Sequence, residues 1–146
     1  MGNHHSTATT DHGLAHDGPP DGEVAHAHLN RQVGTRLLFE NGAVRVWDVQ
    51  LEPGARAPLH CHALNYFWTC TEPGTALQWQ LTRSGWRRQS RTYTVGETQF
   101  FAYGDGPPVI HDLHNDGDTT LRFVTVELLG TAAQPASSTT APGGAS

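Results

Sequence analysis

The sequence predicts an all-β protein, folded as a sandwich of two sheets or as a small barrel. Turn-forming residues recur about every 10 residues between short stretches rich in β-branched and aromatic side chains. The 146-residue chain contains 16 glycines and nine prolines, a supply that suits many tight turns. No long stretch has the apolar period of a helix. This combination is typical of β-sandwiches and small barrels.

The predicted strands follow one another through short connections. Asn41-Gly42 lies between two apolar segments and is a strong hairpin signal. Pro53-Gly54 ends the second segment, and a Gly- and Pro-rich loop precedes the segment that begins at residue 109. In chain order, the strand-sized segments are 35–39, 43–51, 58–70, 75–82, 86–95, 96–103, 109–115 and 119–129.

The length allows one domain with a hydrophobic core, flanked by two tails. Residues 1–32 form a His- and Gly-rich N-terminal segment, and residues 131–146 are mostly Ala, Ser, Thr and Pro. Neither end has enough apolar side chains to offset the entropy lost on ordering. We therefore expect a mobile arm over 1–32, a folded domain over 33–130 and a disordered tail over 131–146.

Charge and hydropathy narrow the classes of function. Nine Lys+Arg against 14 Asp+Glu give a net charge of -5, which argues against a general nucleic-acid binder. No apolar run approaches the roughly 20 residues of a membrane span. The N-terminal segment also lacks the apolar stretch of a signal peptide. The sequence therefore predicts a cytoplasmic protein with no membrane partner.

Two histidines one residue apart predict a metal site. Because side chains alternate along a strand, His60 and His62 point to the same face, about 6.6 Å apart at the backbone. A third ligand must come from a facing strand, and His111 in a later predicted strand is the natural choice. His114 lies three residues further on and is expected on the opposite face. We therefore predict a divalent metal held by His60, His62 and His111.

The spacing around these histidines resembles the first motif of the cupins. Five residues separate Gly54 from His60, four residues follow His62, and six residues separate Phe67 from Gly74. In that motif a glutamate ligand stands where this chain has Phe67. The second cupin motif is matched at its ends, by Gly96 and by the His-x3-Asn spacing of residues 111–115, but its central turn is about four residues longer here. The resemblance implies a single-domain cupin, a jelly-roll β-sandwich with the metal near its open end.

Loss of the glutamate leaves an all-imidazole ligand set. Three neutral imidazoles leave the full charge of a dication in place, which strengthens its action on a bound carbonyl group. Such a ligand set suits zinc, Fe(II), Ni or Cu and disfavours Mg or Ca. A fourth ligand stays open: Tyr66 through a β-bulge, His114, or the His26 and His28 pair if the N-terminal segment folds back. The alternative for that pair is a solvated arm.

Aromatic and basic side chains suggest two further surfaces. Tyr66, Phe67, Trp79 and Tyr103 are candidates for the wall of a substrate pocket, with core packing as the alternative. Four arginines cluster on one predicted hairpin, at 83, 87, 88 and 91. This cluster is either a solvated face or a docking site for an acidic carrier protein. The chain is also expected to form a homodimer through strand edges.

The missing glutamate and the aromatic lining make the chain similar to small zinc-containing cupin cyclases of aromatic polyketide pathways, such as those leading to resistomycin-like antibiotics. That resemblance implies aldol-type ring closure of a linear poly-β-ketone, free or carrier-bound, at a zinc ion. Two alternatives remain. One is a three-His, non-haem Fe(II) dioxygenase that acts on a thiol or a diketone. The other is a non-catalytic cupin that binds a metal or a small molecule.

Overall fold

The computed structural model describes residues 18–103 and 106–130, and these residues form two antiparallel β-sheets. The five-stranded sheet has the order β1-β2-β9-β4-β7, and the four-stranded sheet has the order β3-β8-β5-β6. This arrangement confirms the predicted all-β sandwich. The strands are β1 (Arg36–Glu40), β2 (Val44–Leu51), β3 (Arg56–His62), β4 (Tyr66–Glu72), β5 (Gly74–Thr82), β6 (Gly85–Tyr93), β7 (Thr98–Phe101), β8 (Val109–Asn115) and β9 (Leu121–Leu128).

Local chemistry accounts for the tight turns. The predicted hairpin at Asn41 joins β1 to β2, and the Asn41 side-chain oxygen accepts bonds of 2.8 Å from the backbone N–H groups of Ala43 and Val44. The turn between β5 and β6 closes at Gly85, whose φ of 108° is a conformation that other residues rarely adopt. Both hairpins therefore fall where the sequence places turn residues.

The hydrophobic core fills one end of the sandwich, between the two sheets. Its buried members are Val49, Cys70, Ala76, Tyr93, Leu121 and Phe123. The rings of Trp68, Tyr93 and Phe123 meet edge to face, with centroids 4.9 to 5.4 Å apart, an arrangement that aromatic quadrupoles favour. Cys61 and Cys70 are both buried and free.

The strand register brings several strand ends together at the opposite end of the sandwich. His62, the last residue of β3, pairs with Val109, the first of β8. Tyr66, the first residue of β4, pairs with Phe101, the last of β7. The β5–β6 turn lies at the same end, because Gln80 in β5 pairs with His111. The connections at 63–65, 83–84 and 106–108 therefore form the rim of this end.

Part of the predicted N-terminal arm packs against the domain. A four-residue helix, α1 (Asp21–Val24), and a 3₁₀ turn (Ala27–Leu29) precede β1. Glu23 accepts hydrogen bonds from the Arg56 guanidinium at 2.6 and 2.7 Å and from the backbone N–H of Leu59 at 3.0 Å. The Asn30 carbonyl accepts a bond of 2.7 Å from the backbone N–H of Cys61. Residues 18–32 thus cover the outer side of β3, while the predictions for residues 1–17 and 131–146 lie outside the described residues.

The outer face of the five-stranded sheet carries an apolar row. Register partners place one apolar side chain from each strand in line: Phe39, Val46, Val126, Phe67 and Phe100. Phe39 and Phe100, at the two ends of the row, are 53% and 54% exposed. No helix within 18–103 or 106–130 is long and apolar enough to cross a membrane.

The contact between α1 and β3 generates a stability prediction. Hydrogen bonds from Arg56 hold the pKa of Glu23 below its usual value of 4.5. We expect Glu23→Gln to lower the free energy of unfolding by about 1 kcal/mol at pH 7, measured by urea titration. A depressed carboxyl pKa stabilises the fold above the unfolded-state pKa, and this contribution is lost as the pH falls through the folded-state pKa.

The difference between wild type and Glu23→Gln should therefore shrink as the pH is lowered from 4.5, the usual pKa of the Glu23 carboxyl. Glu72→Gln is the matched control, because the nearest guanidinium nitrogen of Arg122 lies 3.9 Å from Glu72. A loss of stability in Glu23→Gln that does not change with pH would contradict this account.

Candidate metal centre

Strand pairing builds the candidate site from two neighbouring strands. His60 in β3 lies directly opposite His111 in β8, and His62 follows two residues later on the same face. Because residues i and i+2 share a face, all three imidazoles project into the sandwich. The structure thus brings together the three histidines that the sequence singles out.

The ring nitrogens lie close together, with the ligand atoms of the three histidines all within 4.8 Å of one another. The Nε2 atom of His62 lies 3.1 Å from Nε2 of His60 and 3.0 Å from Nε2 of His111. Ligand bonds of about 2.0–2.1 Å from each nitrogen to a common zinc ion give nitrogen–nitrogen separations of roughly 3 Å. The two short separations therefore match those of imidazoles that would share one dication.

Hydrogen bonds at the other ring nitrogen orient two of the ligands. Nδ1 of His60 lies 2.8 Å from the carbonyl oxygen of Pro58, and Nδ1 of His111 lies 3.2 Å from the side-chain oxygen of Gln78. Both oxygens are acceptors, so the proton of each ring sits on Nδ1 and the Nε2 lone pair points to the centre. If His62 carries its proton on Nε2, that proton can bond to the Nε2 lone pair of His60 or of His111, but not to both. A cation between the rings can bind the Nε2 lone pairs of all three histidines.

Burial keeps the three imidazoles neutral. Desolvation lowers the pKa values of all three; neighbouring imidazoles lower those of His62 and His111 further, whereas the Pro58 carbonyl and the Asp112 carboxylate oppose the shift at His60. Only neutral imidazole has a lone pair for a metal. The environment therefore prepares the ligands for metal binding at neutral pH.

Tyr66 occupies the site-facing position on β4. Its ring stacks on the His62 ring with centroids 3.9 Å apart, and Phe101 stacks on the other side at 4.7 Å. The sequence alignment with the cupin motif instead places Phe67 at the glutamate position. Because neighbouring strand residues face opposite sides, Phe67 points outward into the apolar row.

The histidines line a cavity of about 90 Å³ that is mostly apolar. Its polar lining consists of the three histidines, two glutamines, Thr125 and Arg91, and no carboxylate is among the lining residues in the described part of the chain. The apolar lining is Val33, Val49, Ala57, Tyr66, Trp68, Tyr93, Phe101, Val109, Leu113 and Phe123. A dication here would face a mostly apolar space in which the Arg91 guanidinium is the one charged lining group among the described residues.

Of the four predicted pocket residues, the structure places only Tyr66 on the cavity wall. Trp79 lies on the outer face, where the Arg88 guanidinium sits 5.8 Å from its ring centroid. Tyr103 lies behind Tyr66, with ring centroids 6.2 Å apart. Burial raises the pKa of Tyr103 to about 12 and, together with the nearby Tyr103 hydroxyl, raises the pKa of Tyr66 well above its usual range.

The histidines considered as a fourth ligand lie elsewhere. His26 and His28 are exposed on the N-terminal segment, and the cluster of close ligand atoms among the described residues contains only His60, His62 and His111. His114 pairs with Arg56 and Leu77 and lines a surface pocket on the outer side of β8, as its three-residue offset predicts.

Two glutamines and one arginine of the site were missed by the sequence argument. Gln78 and Gln80 flank Trp79, so the alternation of β5 turns both amides inward. Gln80 also accepts a hydrogen bond of 3.3 Å from the Gln89 side chain. Arg91 lines the cavity from β6, whereas the sequence left an inward position open only for Arg45 and Arg122. The Gln-Trp-Gln alternation of residues 78–80 indicates that both glutamines share one face of the strand. Only the pairing of β5 with β8 shows that this face is the one that carries His111.

Comparison with solved structures identifies the fold. A cupin domain from Bordetella pertussis shares 24% identity over 64% of this chain and 88% of its own, with a TM-score of 0.53. An RmlC-like cupin with a double-stranded β-helix fold from Methanocaldococcus jannaschii shares 15% identity over 64% and 77% of the two chains, with a TM-score of 0.51. A protein from Bacillus halodurans shares 16% identity over 86% and 88%, also with a TM-score of 0.51.

These likenesses show that the chain has the cupin, or double-stranded β-helix, fold. No protein-family model and no curated protein matches the sequence. At these identities the solved structures establish the fold alone, so the activity must be argued from the site.

The bond between Gln78 and His111 generates a prediction about metal affinity. We expect Gln78→Leu to weaken zinc binding by roughly 10- to 100-fold, because the His111 ring loses the acceptor that fixes its tautomer. Gln80→Leu is the matched control: Gln80 lies on the same strand and lines the same cavity, but it bonds to Gln89. Competition with a chromogenic chelator measures both affinities, and equal losses would show that cavity polarity matters rather than ring orientation.

Proposed function

We propose that this protein is a metal-dependent enzyme that closes rings in a linear poly-β-ketone by an aldol-type reaction. One observation carries the proposal: three neutral imidazoles converge beside a mostly apolar cavity whose lining includes no carboxylate. Such a place suits a substrate rich in carbonyl groups and poor in charge. His60, His62 and His111 would hold the ion.

When bound, a dication such as Zn²⁺ supplies Lewis acidity that withdraws electrons from a substrate carbonyl group. The all-imidazole ligand set leaves its charge undiminished. Fe(II) and Ni²⁺ are accepted by the same ligands, so the choice of zinc rests on the resemblance to the zinc-containing cyclases.

The cavity wall orients the reacting segment and excludes water. Its aromatic and aliphatic side chains hold a flexible chain in a bent conformation, which can supply several kcal/mol of the barrier reduction. The Gln80 amide lies on the wall in register with His111 and offers N–H donors for a second carbonyl oxygen. Exclusion of water protects the polyketone from competing reactions.

The cavity holds only part of such a substrate. A volume of about 90 Å³ accommodates a short segment, well below the roughly 300–1,000 Å³ of sites that enclose a drug-sized ligand. The ring that forms therefore lies beside the histidines, while the remainder of the chain extends through the rim.

The tyrosines near the site act as hydrogen-bond donors rather than as bases. Burial raises the pKa values of Tyr66 and Tyr93, so both hydroxyls keep their protons near neutral pH. The absence of a carboxylate from the lining residues of the described chain leaves no acidic side chain as the base there.

A three-His Fe(II) dioxygenase is the second candidate, and Arg91 is the observation that favours it. A cavity arginine can hold the carboxylate of a small thiol substrate. However, the Arg91 guanidinium is paired with Glu97, donates to Gln99 and lies 5.3 Å from the Trp68 ring centroid. Since these contacts already neutralise Arg91, the ring-closure function is preferred.

We also propose a homodimer, formed through the outer face of the five-stranded sheet instead of through the strand edges that the sequence suggested. The apolar row across the outer face of the five-stranded sheet supports self-association, because exposed apolar patches commonly mark protein interfaces. The site histidines all come from the four-stranded sheet, so this face can be covered without closing the rim.

The ring-closure proposal is tested by mass balance. Aldol closure forms one carbon–carbon bond, and the dehydration that follows releases one water; neither step consumes oxygen. We expect zinc-loaded protein, incubated with a synthetic linear polyketone, to yield a product lighter by one water, without oxygen uptake. Chelation and the variants His60→Ala and His111→Ala should remove metal and turnover together.

Liquid chromatography with mass spectrometry and an oxygen electrode follow the reaction. Addition of two oxygen atoms with oxygen uptake would establish the dioxygenase. Metal binding without turnover of any polyketone or thiol would establish a binding protein, and full cyclisation by metal-free protein would overturn the proposed role of the metal.

A further inference from the structure

We propose that the β5–β6 hairpin docks an acidic carrier domain that presents the substrate on a phosphate-linked arm. The docking surface, named here the basic hairpin surface, consists of Trp79, Arg83, Trp86, Arg87 and Arg88. This inference rests on the proposed function, because it assumes a substrate that is delivered to the cavity while attached to a protein.

This surface is positively charged, whereas the chain as a whole is negatively charged. The protein has a net charge of -5, and all nine of its basic residues are arginines. Five of them form ion pairs with carboxylates, at positions 36, 45, 56, 91 and 122. Across residues 18–103 and 106–130, Arg83, Arg87 and Arg88 form no such pair. Three cations near the hairpin tip are thus left available to an anionic partner: Arg83 in the turn, Arg87 on the inner face and Arg88 beside Trp79 on the outer face.

Strand register connects this surface to the metal centre. His60 pairs with His111, His111 pairs with Gln80, and Gln80 pairs with Arg87. These four residues form one row across all four strands of the sheet, and register partners project from the same face. Arg87 therefore stands two strand spacings from His111, roughly 10 Å at the backbone. An anion held there would lie at the rim, on the same side of the sheet as the metal ligands.

Aromatic side chains and a groove complete the surface. A groove of about 700 Å³ lies along the hairpin and is lined by Trp79, Thr82, Arg83, Ser84, Gly85, Trp86, Arg87 and Arg88. The Arg88 guanidinium lies 5.8 Å from the centroid of the Trp79 ring. This cation–π contact orients the guanidinium and leaves its positive charge in place. Arginine and tryptophan are the residues most enriched at the energetic centres of protein interfaces.

Substrate size and total charge favour an acidic carrier over nucleic acid. Because the cavity holds only the reacting segment, a longer substrate leaves the rim with its attachment point outside. A phosphodiester at that attachment point matches the arginine fork of Arg87. Nucleic acid, in contrast, needs a longer track of cations, and the net charge of -5 would repel it.

Binding measurements on the full-length, zinc-loaded protein test the inference. The probes are an acidic acyl carrier protein in its apo form, the same protein bearing its phosphopantetheine arm, and a single-stranded DNA. We expect both carrier forms to bind, the form with the arm more tightly, with affinity that falls as salt is raised. The triple charge reversal of Arg83, Arg87 and Arg88 to Glu should weaken carrier binding by about 10-fold or more.

Arg31→Glu is the matched control. Arg31 is exposed, lacks a carboxylate partner among the residues described, and precedes β1 on the N-terminal segment that covers β3, at the other edge of the four-stranded sheet. Its reversal changes the net charge without touching the hairpin, and it should alter binding by less than about twofold. Zinc content and thermal unfolding of every variant verify that the fold and the metal centre are intact.

The outcomes separate this inference from the proposed reaction. Carrier binding is measured without turnover, so ring closure of a free polyketone with no carrier binding overturns the docking surface and leaves the proposed function in place. Loss of carrier binding in Arg31→Glu equal to that in the triple variant would show a general charge effect and overturn it. Arginine-dependent binding of the DNA that is tighter than carrier binding would instead establish a nucleic-acid surface.

Discussion

The register between β3 and β8 is the constraint on which the rest of the site depends. A slip of one residue would turn the imidazoles of His60 and His62 away from the interior. Contacts at the closed end fix the pairing up to Ala57, and a β-bulge between Ala57 and His60 then shifts it by one residue: the Gly54 N–H donates to the Asn115 carbonyl at 3.0 Å, and the Asn115 N–H donates to the Ala55 carbonyl at 2.9 Å. The fully buried Asn115 side chain also bonds to the carbonyl oxygens of Leu51 and Thr119, each at 2.8 Å. The glycine and asparagine of the two cupin-like motifs therefore fix the closed end of the β3–β8 pair, and the bulge beyond them sets His60 opposite His111 at the candidate metal site.

The side chains around the candidate metal position are mostly neutral, whereas most ion pairs lie on the outer side of the sheets. Inside, neutral imidazoles, amides and aromatic rings surround the candidate metal position, and Tyr66 replaces a carboxylate at the site-facing position of β4. Outside, buried carboxylates are satisfied by arginines, as in the Asp112–Arg56–Glu23 series behind β8 and β3. Because Asp112 is adjacent to His111 but on the opposite face, its charge supports the sheet without entering the cavity. A dication at the site would share the interior with two groups that are already paired: Arg91, and the buried Glu127, which pairs with Arg45 and accepts a hydrogen bond from Trp47.

The sequence was sufficient for features that depend on local periodicity and insufficient for those that depend on pairing between distant segments. Turn residues and alternation predict the all-β fold, and the two-residue spacing of His60 and His62 predicts their common face. The prediction of both Tyr66 and Phe67 as pocket residues was inconsistent with alternation, since neighbours in a strand face opposite sides, and only Tyr66 lines the cavity. The inward positions of Gln78, Gln80 and Arg91 required knowledge of which strands are adjacent, because β5 pairs with β8 across a separation of about 30 residues. The packing of residues 18–32 was missed because its polar contacts, centred on Glu23 and Arg56, leave no apolar period in the sequence.

One row of paired residues links the chemistry to the surface. His60, His111, Gln80 and Arg87 occupy equivalent positions on four adjacent strands, so the same ladder sets the distance from the metal ligands to the rim. A change that shifts β5 against β8 would move the Gln80 amide and the Arg87 guanidinium together relative to His111. The small cavity makes this coupling matter, because a substrate too long for the interior must contact both the histidines and the rim at once. Substrate selection by such a site would then depend as much on the spacing of strands in the four-stranded sheet as on the metal itself.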